Sequence, residues 1–471
     1  MERDDSPGRL LHEVRWEALS SVPSELSSPT SDADSLLILF ADSTHGGDSY
    51  LEYLLSKQPN LRHARIVRDD ERAPAPVEGM HIAINSIGVE NYRGALRKIL
   101  AHFASRTPET ADKEKEAPKE ELSTIEQPGL VRPVKLRIVF AWPLDANGDM
   151  GAATFISCGT LLQLTQALMA EGLTANTDIV VLTRGAVAVT SGKGNPTDDW
   201  LSQSLAPCAQ ATVHGFAAVA SSELPDLKIT VIDLDPANAV TIDPSIVAPL
   251  LFAEGLQEDR LAVRGSGVFA PRVVKLGHPR EKADAEKEKT PEGEKGSEKE
   301  EQGVARAVVI TGGFGGIGME LCRWLGDREK DLRVYLVGRH PPQEPLTWLA
   351  SVFEKDVGEE FKVEEGGYRH QSNLYYFLGA DISNSKDVEK LFESITEGSI
   401  SVHLRVYHCA GVLRDRIILN QNWESFQEVL APKVLGAWHL VQGCLRHPNI
   451  RLEDMMLFSS ISNILGTPGQ V

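Results

Sequence analysis

The chain has 471 residues, of which 42% are hydrophobic and 24% charged, and a net charge of -19 at pH 7. That composition excludes a wholly disordered chain, a collagen and a disulfide mini-scaffold, and the length suggests about two to four domains. The acidic balance argues against nucleic-acid and anionic-membrane partners, both of which need a basic protein face.

In chain order, residues 1–12 form a tail without an apolar core of signal-peptide length, and apolar runs such as 36–41 are strand-sized. Residues 13–277 form a first block. Strands are predicted at 36–41, 81–85, 136–141, 179–182, 228–234 and 261–263, with helical stretches between several of them. One such stretch, 160–170, places Leu161, Leu164, Leu168 and Met169 on one side. An acidic insertion at about 107–129 interrupts the block. A low-complexity linker, 278–303, follows it. Within 281–301, acids and lysines fill 14 of 21 positions without an aromatic or β-branched aliphatic residue. Such a stretch has too little apolar surface to offset its ordering entropy, so a solvated linker is expected.

Residues 304–471 repeat the alternation more cleanly. Strands are predicted at 307–310, 334–337, 375–378, 406–407 and 455–458, and helices at 316–326, 385–394 and 432–445. Short buried strands alternating with helices indicate two tandem α/β blocks with parallel sheets. Cys158, Cys208, Cys322, Cys409 and Cys444 include no Cys-x-x-Cys pair. The odd, scattered set argues against a zinc site or disulfide framework and suits a reducing, cytoplasmic setting.

The strongest chemical signal follows the strand 307–310. Thr311-Gly312-Gly313-Phe314-Gly315-Gly316-Ile317-Gly318 contains Gly-x-Gly-x-x-Gly at Gly313, Gly315 and Gly318, between a strand and an amphipathic helix. Glycines permit the tight turn and let backbone N–H groups approach a pyrophosphate, and the helix N-terminus adds partial positive charge. The alternative is a merely Gly-rich turn. An NAD site would place a carboxylate at the end of the next strand. Here that strand ends Val337-Gly338-Arg339-His340. Arg339 suits the 2′-phosphate of NADPH, unless it is a solvent-facing loop residue. Asp381, ahead of Ile382, is either an acceptor for the adenine amino group or a turn former before Ser383. Ala410 and Gly411 are small enough for the backbone to lie against a ribose. His408 is read as a packed strand-end histidine rather than a general acid.

These residues resemble the short-chain dehydrogenase/reductase family. The second block resembles more closely the ketoreductase domain of modular polyketide synthases and animal-type fatty acid synthases, through VVITGGFGGIG, LVGRH, HCAGVLRD, VLAPKVLGAWHL and LFSSISNILGTPGQ. In the first block VRWEAL, VLTRGAVAV, AQATVHGFAAVASSELPDL, VIDLD and DRLAVRGSGVFAPRVV resemble the truncated, non-catalytic half of such enzymes. The resemblance implies two Rossmann-like subdomains: a structural half that binds no cofactor, and an NADP-binding catalytic half. The reaction implied is NADPH-dependent reduction of a β-ketoacyl thioester, held on the phosphopantetheine arm of an acyl carrier protein, to the β-hydroxyacyl thioester. Other domains of a megasynthase are then partners. The motifs leave polyketide and fatty acid versions open.

The resemblance also assigns Lys433 and Ser460 to the catalytic set, in which serine holds the ketone oxygen, tyrosine protonates it and lysine lowers the tyrosine pKa. The family tyrosine falls thirteen residues after the serine, past Val471, so the catalytic half is expected to lack its last strands and the chain to be inactive alone. The alternative is a non-catalytic NADP-binding or scaffolding piece. Tyr53 and Lys57 fit Tyr-x-x-x-Lys but precede any Gly-rich loop and are read as chance. Leu413-Arg414-Asp415 keeps one aspartate of the motif tied to the D-alcohol, and position 465 holds Leu465 rather than tryptophan. Both lean toward the D-alcohol, against Asp415 being a plain helix-start acid.

Overall fold

A computed structural model describes residues 12–20, 35–42, 47–68, 80–104, 135–175, 177–189, 205–236, 244–251, 258–275, 304–357, 360–364, 366–398 and 401–470. The acidic insertion at 107–129, the linker 278–303 and nearly all of the 1–12 tail lie outside these residues. The chain divides into two units. The first comprises Met1–Pro291 with Arg416–Gln421 and Ser462–Val471, and the second Glu292–Asp415 with Asn422–Ile461.

The first unit contains β1 (His12–Ala18), β2 (Ser35–Phe40), α1 (Gly47–Lys57), β3 (His63–Arg68), β4 (Met80–Ile84), α2 (Val89–Ala104) and β5 (Lys135–Phe140). It continues with α3 (Met150–Ala170), β6 (Thr177–Arg184), α4 (Ala206–Glu223), β7 (Leu227–Leu234), α5 (Pro244–Leu251), β8 (Arg260–Arg264) and β9 (Gly267–Lys275). Its sheet runs β1-β9-β8-β7-β6-β5-β2-β3-β4. The strands from β8 through β4 pair in parallel, while β9 and β1 are antiparallel. The central strands are continuous apolar runs because both faces are covered: Leu36, Leu37, Ile38, Leu39 and Phe40 are all buried. Helix α3 has the length and composition to cross a bilayer. Here it is a core helix, with Leu161, Leu162, Leu164 and Leu168 buried.

Strand β3 was not anticipated. Arg65 breaks its apolar run, yet Arg65 is buried and its Nε donates to the Ala41 carbonyl at 3.1 Å. The antiparallel edge β1 was also unforeseen. Its residues are largely exposed, and charged Glu13, Arg15 and Glu17 alternate along it, which protects an edge from further pairing. Tyr53 and Lys57 share one side of α1, with the ammonium 5.7 Å from the ring centroid, a local surface contact.

The second unit contains β10 (Val304–Thr311), α6 (Gly316–Arg328), β11 (Arg333–Gly338), α7 (Pro345–Phe353), β12 (Phe361–Glu364), β13 (Gly367–His370) and β14 (Asn373–Gly379). After these come α8 (Ser385–Thr396), β15 (Ser401–His408), α9 (Trp423–Leu430), α10 (Gly436–Arg446) and β16 (Ile450–Leu457). A last short helix, α11 (Ser462–Leu465), falls in the first unit. The sheet order is β12-β13-β14-β11-β10-β15-β16. Its five strands from β14 to β16 are parallel, the doubly wound arrangement expected from the sequence. The hairpin β12–β13 adds an antiparallel edge that Glu364 and Arg369, paired across it, concealed as a charged loop. Strand β15 extends well beyond the predicted 406–407, because its Arg405 is neutralised by Glu329 at 2.8 Å.

Candidate functional site

In the second unit the strands β10, β11, β14 and β15 all end on one side of the sheet, where the strand order reverses. Ligands of open α/β sheets bind at that switch point. Thr311 closes β10 and ties it to β15. Its hydroxyl bonds His408 Nδ1 at 2.7 Å, and its carbonyl accepts from Cys409 N at 3.0 Å. His408 is buried, and desolvation lowers its pKa, opposed by a hydrogen bond with the Pro432 backbone. It is thus a packed, neutral strand-end histidine.

The chain then turns through Gly313, Gly315 and Gly316 into α6. Gly313 N donates to Val337 O at 3.2 Å, and Gly315 N to Gly312 O at 3.0 Å, which closes the turn against β11. Gly318 is the tightest point. A Cβ there would lie 2.6 Å from both Gly312 O and Gly313 Cα, so only glycine lets the helix meet the turn this closely. Among the described residues no side chain caps α6, whose N-cap is Gly315, so its first-turn N–H groups are left for an anion. Phe314 does something else. Its ring stacks on Phe377 at 5.7 Å and meets Trp348 edge-on at 5.9 Å, so it anchors the turn in the core. Ile317 is exposed on the first turn of α6.

A cavity of about 560 Å³ opens at these strand ends. The sequence candidates Arg339, Asp381, Ile382, Ala410 and Gly411 all line it. Arg339 is exposed, and among the described residues it pairs with no carboxylate. Asp381 does form the turn: its Oδ1 accepts from Ser383 N at 2.9 Å and Ser383 Oγ at 2.6 Å. Because it also lines the cavity, the two readings of Asp381 are compatible. Sequence reasoning missed Ser383 and Glu428 on the wall. Arg414 was singled out only as a motif departure, yet it lines the same cavity and pairs with Glu428 at 2.5 Å. Fourteen residues separate that pair, and no periodicity announces it.

Lys433 packs beside the loop that follows β15, and Ser460 lies after the neighbouring strand β16. Lys433 sits in a π-helical turn, Ala431–Leu435, between α9 and α10, a distortion frequent at functional sites. A Cβ on Gly411 would be 3.3 Å from Lys433 Cε, so the lysine stem lies against the loop that follows β15. Ser460 follows the end of β16 and is exposed. Phe458 N, two residues earlier, donates to His408 O at 3.1 Å. The uncapped helix start, the glycine-tight turn and the adjoining cavity together fit a dinucleotide.

Residues 307–471 match the family model described as KR domain, and residues 95–273 match that of the Rossmann fold domain of the polyketide synthase extender module SpnB. The chain thus carries a KR domain over residues 307–471. Among its relatives, polyketide synthase GfsB of Streptomyces halstedii is 28% identical over 420 residues, 85% of this chain and 7% of that protein. Polyketide synthase GfsA of the same organism is 31% identical over 321 residues, 67% of this chain and 4% of the relative. A 6-methylsalicylic acid synthase of Arthrobotrys oligospora is 31% identical over 266 residues, 56% of this chain and 13% of the relative. The chain thus spans a small part of each. Solved A-type ketoreductases from a modular polyketide synthase share the fold at a TM-score of 0.63 and 19% identity, over 98% of this chain and 77% of theirs. The first ketoreductase of the tylosin synthase does so at 0.59 and 21%, over 98% and 76%. A ketoreductase domain of this fold carries oxidoreductase chemistry with a nicotinamide cofactor.

Proposed function

We propose that this chain is the ketoreductase region of a modular polyketide synthase that reduces a β-ketoacyl thioester to the β-hydroxyacyl thioester with NADPH. The observation that carries the reading is the uncapped start of α6 beside a cavity with Arg339 on its wall. The N–H groups of Gly316, Ile317 and Gly318 would hold the pyrophosphate, and Arg339 the 2′-phosphate. Asp381 and Ile382 would line the adenine site, with Ala410 and Gly411 against the ribose. NADPH, when bound, supplies the hydride. Ser460 would hold the ketone oxygen by a hydrogen bond. The Lys433 ammonium, beside Gly411, would bind ribose and favour proton delivery to that oxygen. The substrate would arrive on the phosphopantetheine arm of an acyl carrier protein, so the partners are other synthase domains, in a cytoplasmic setting. Asp415 and Leu465 support a D-alcohol product.

Fluorescence titration of the chain with NADPH and NADH tests the cofactor assignment. Wild type should prefer NADPH at least about tenfold, and Arg339→Ala should remove the preference by weakening NADPH alone, as loss of one charge-assisted phosphate contact predicts. Equal affinities in wild type would refute the role of Arg339. Absence of binding would refute the cofactor site.

A further inference from the structure

Glu223 ends α4, where a negative side chain faces the unfavourable end of the helix dipole. Among the described residues no lysine or arginine pairs with it. Its carboxylate is instead shared between two backbone donors far apart in sequence. Ile418 N donates to Oε2 at 2.8 Å, and Gly469 N donates to Oε1 at 2.6 Å. Both donors belong to segments that fall in the first unit although they follow second-unit residues. The two segments also bond to each other: Arg416 N donates to Gly469 O at 2.8 Å, and Arg416 and Gln470 form a parallel bridge.

Further bonds within the first unit fix the same segments. Gln166 of α3 donates from Nε2 to Ile418 O and to Gln421 O, each at 2.8 Å. Arg260 of β8 donates to Ile464 O at 2.7 Å. Gly466 has φ +70°, and a Cβ there would lie 2.1 Å from Ala218 O, so α11 leaves the surface of α4 through a position that admits only glycine. Along the chain, the first segment begins directly after Leu413-Arg414-Asp415 and the second begins two residues after Ser460.

We infer that Glu223 is a positioning residue: one carboxylate sets the register between the segment leaving Asp415 and the segment leaving Ser460, and so fixes the loop that carries Ser460. A carboxylate suits this task because it has two acceptor oxygens and no donor. The importance of Ser460 rests on the function proposed above; the tie between the segments does not.

The test is hydrogen–deuterium exchange of the whole chain, read on short peptides covering 416–421, 458–461 and 466–470, with NADPH affinity measured on the same samples. In Glu223→Ala the Ile418 and Gly469 amides should lose protection together, by about tenfold or more, as loss of a charge-assisted hydrogen bond predicts. The 458–461 peptide should follow by about threefold. Glu223→Gln keeps the shape but offers one acceptor oxygen, with an NH2 group facing the other donor. It should rescue one amide and not the other, a split that general loosening would not produce. Gly466→Ala should free 466–470 while Ile418 stays protected by Glu223. NADPH affinity should stay within about twofold in every variant, since Glu223 is outside the cofactor site. Unchanged exchange at either amide in Glu223→Ala, equal behaviour of both in Glu223→Gln, or an unmoved 458–461 peptide would overturn the inference. A wild type that does not bind NADPH would instead count against the proposed function, leaving the tie to be judged on exchange alone.

Discussion

Both units are built on a core of parallel strands, nine strands in one sheet and seven in the other, and a telling difference lies in what stands at the strand ends. In the second unit the ends of β10 and β15 carry Gly312, Ala410 and Gly411, and a cavity of about 560 Å³ opens beside Arg339. In the first unit the equivalent ends of β2, β3 and β5 are linked by side chains among the described residues. Asp42 Oδ1 accepts from Arg68 N at 2.9 Å, and Oδ2 accepts from Arg68 Nε at 2.5 Å. Asp42 N donates in turn to Asp145 Oδ2 at 3.3 Å. A core of parallel strands thus carries a cavity where the strand ends are small, and an ion pair across the strand ends in the other unit. The fold alone does not decide what a crevice can hold; the residues at the strand ends do.

The most damaging break of this contrast is at Gly318. A branched side chain there meets Gly312 O and Gly313 Cα and forces α6 away from its turn. Gly318→Val should raise the NADPH dissociation constant by about 100-fold or more, at an overpacking cost of about 1–3 kcal/mol. Titration together with a thermal melt separates the two effects. Retained affinity in a folded variant would show that the turn is not where the cofactor's phosphates sit.

The parallel cores of both units were legible in the sequence because continuous apolar runs, such as 36–41 and 307–310, are strands buried on two faces. The Gly-rich turn was legible because its spacing is a backbone requirement. Resemblance, rather than spacing, raised Lys433 and Ser460; Lys433 lies in a helical turn with its stem against Gly411, and Ser460 follows β16. What stayed hidden depends on long-range pairing. Strand β3 is masked by Arg65, β12–β13 by charged residues that meet only across the hairpin, and the Arg414–Glu428 contact by the fold that brings two helix-distant residues together. Glu223 is invisible for the same reason, since its partners are backbone N–H groups with no sequence signature.

The next difference concerns buried histidines. His408 in the second unit has Thr311 as a hydrogen-bond partner, whereas His214 on α4 in the first unit is buried with neither ring nitrogen hydrogen-bonded among the described residues. Burial pushes His214 down to about 4, with Asp233 opposing and Arg260 and Arg264 adding to the shift. The neutral form is therefore native, and an unfolded chain binds a proton that the folded one refuses. Stability is complete above the unfolded value near 6.5 and falls as pH drops from there toward 4. The slope approaches about 1.4 kcal/mol per pH unit, giving roughly 2 kcal/mol by pH 5. Urea midpoints at pH 7 and pH 5 should show this drop, and His214→Leu should flatten it. An equal drop in the variant would assign the acid sensitivity to other groups, His408 among them.

The smallest effect tests the comparison most directly. Arg68 and Asp42 are mostly buried, with side-chain exposures of 10% and 17%. Arg68→Leu removes one partner and leaves a largely desolvated carboxylate, so it should cost about 1–2 kcal/mol, below the range for a fully buried pair. Asp42→Leu with Arg68→Leu should recover much of that loss, since no orphan charge remains. Neither variant should gain a second NADPH equivalent, because the sequence that follows β2, Ser43-Thr44-His45-Gly46-Gly47, lacks the Gly-x-Gly-x-x-Gly spacing of 313–318. Titration stoichiometry reads this directly. A second equivalent in the double variant would mean that the ion pair alone keeps the first unit empty, and that the two halves differ by a plug rather than by a site.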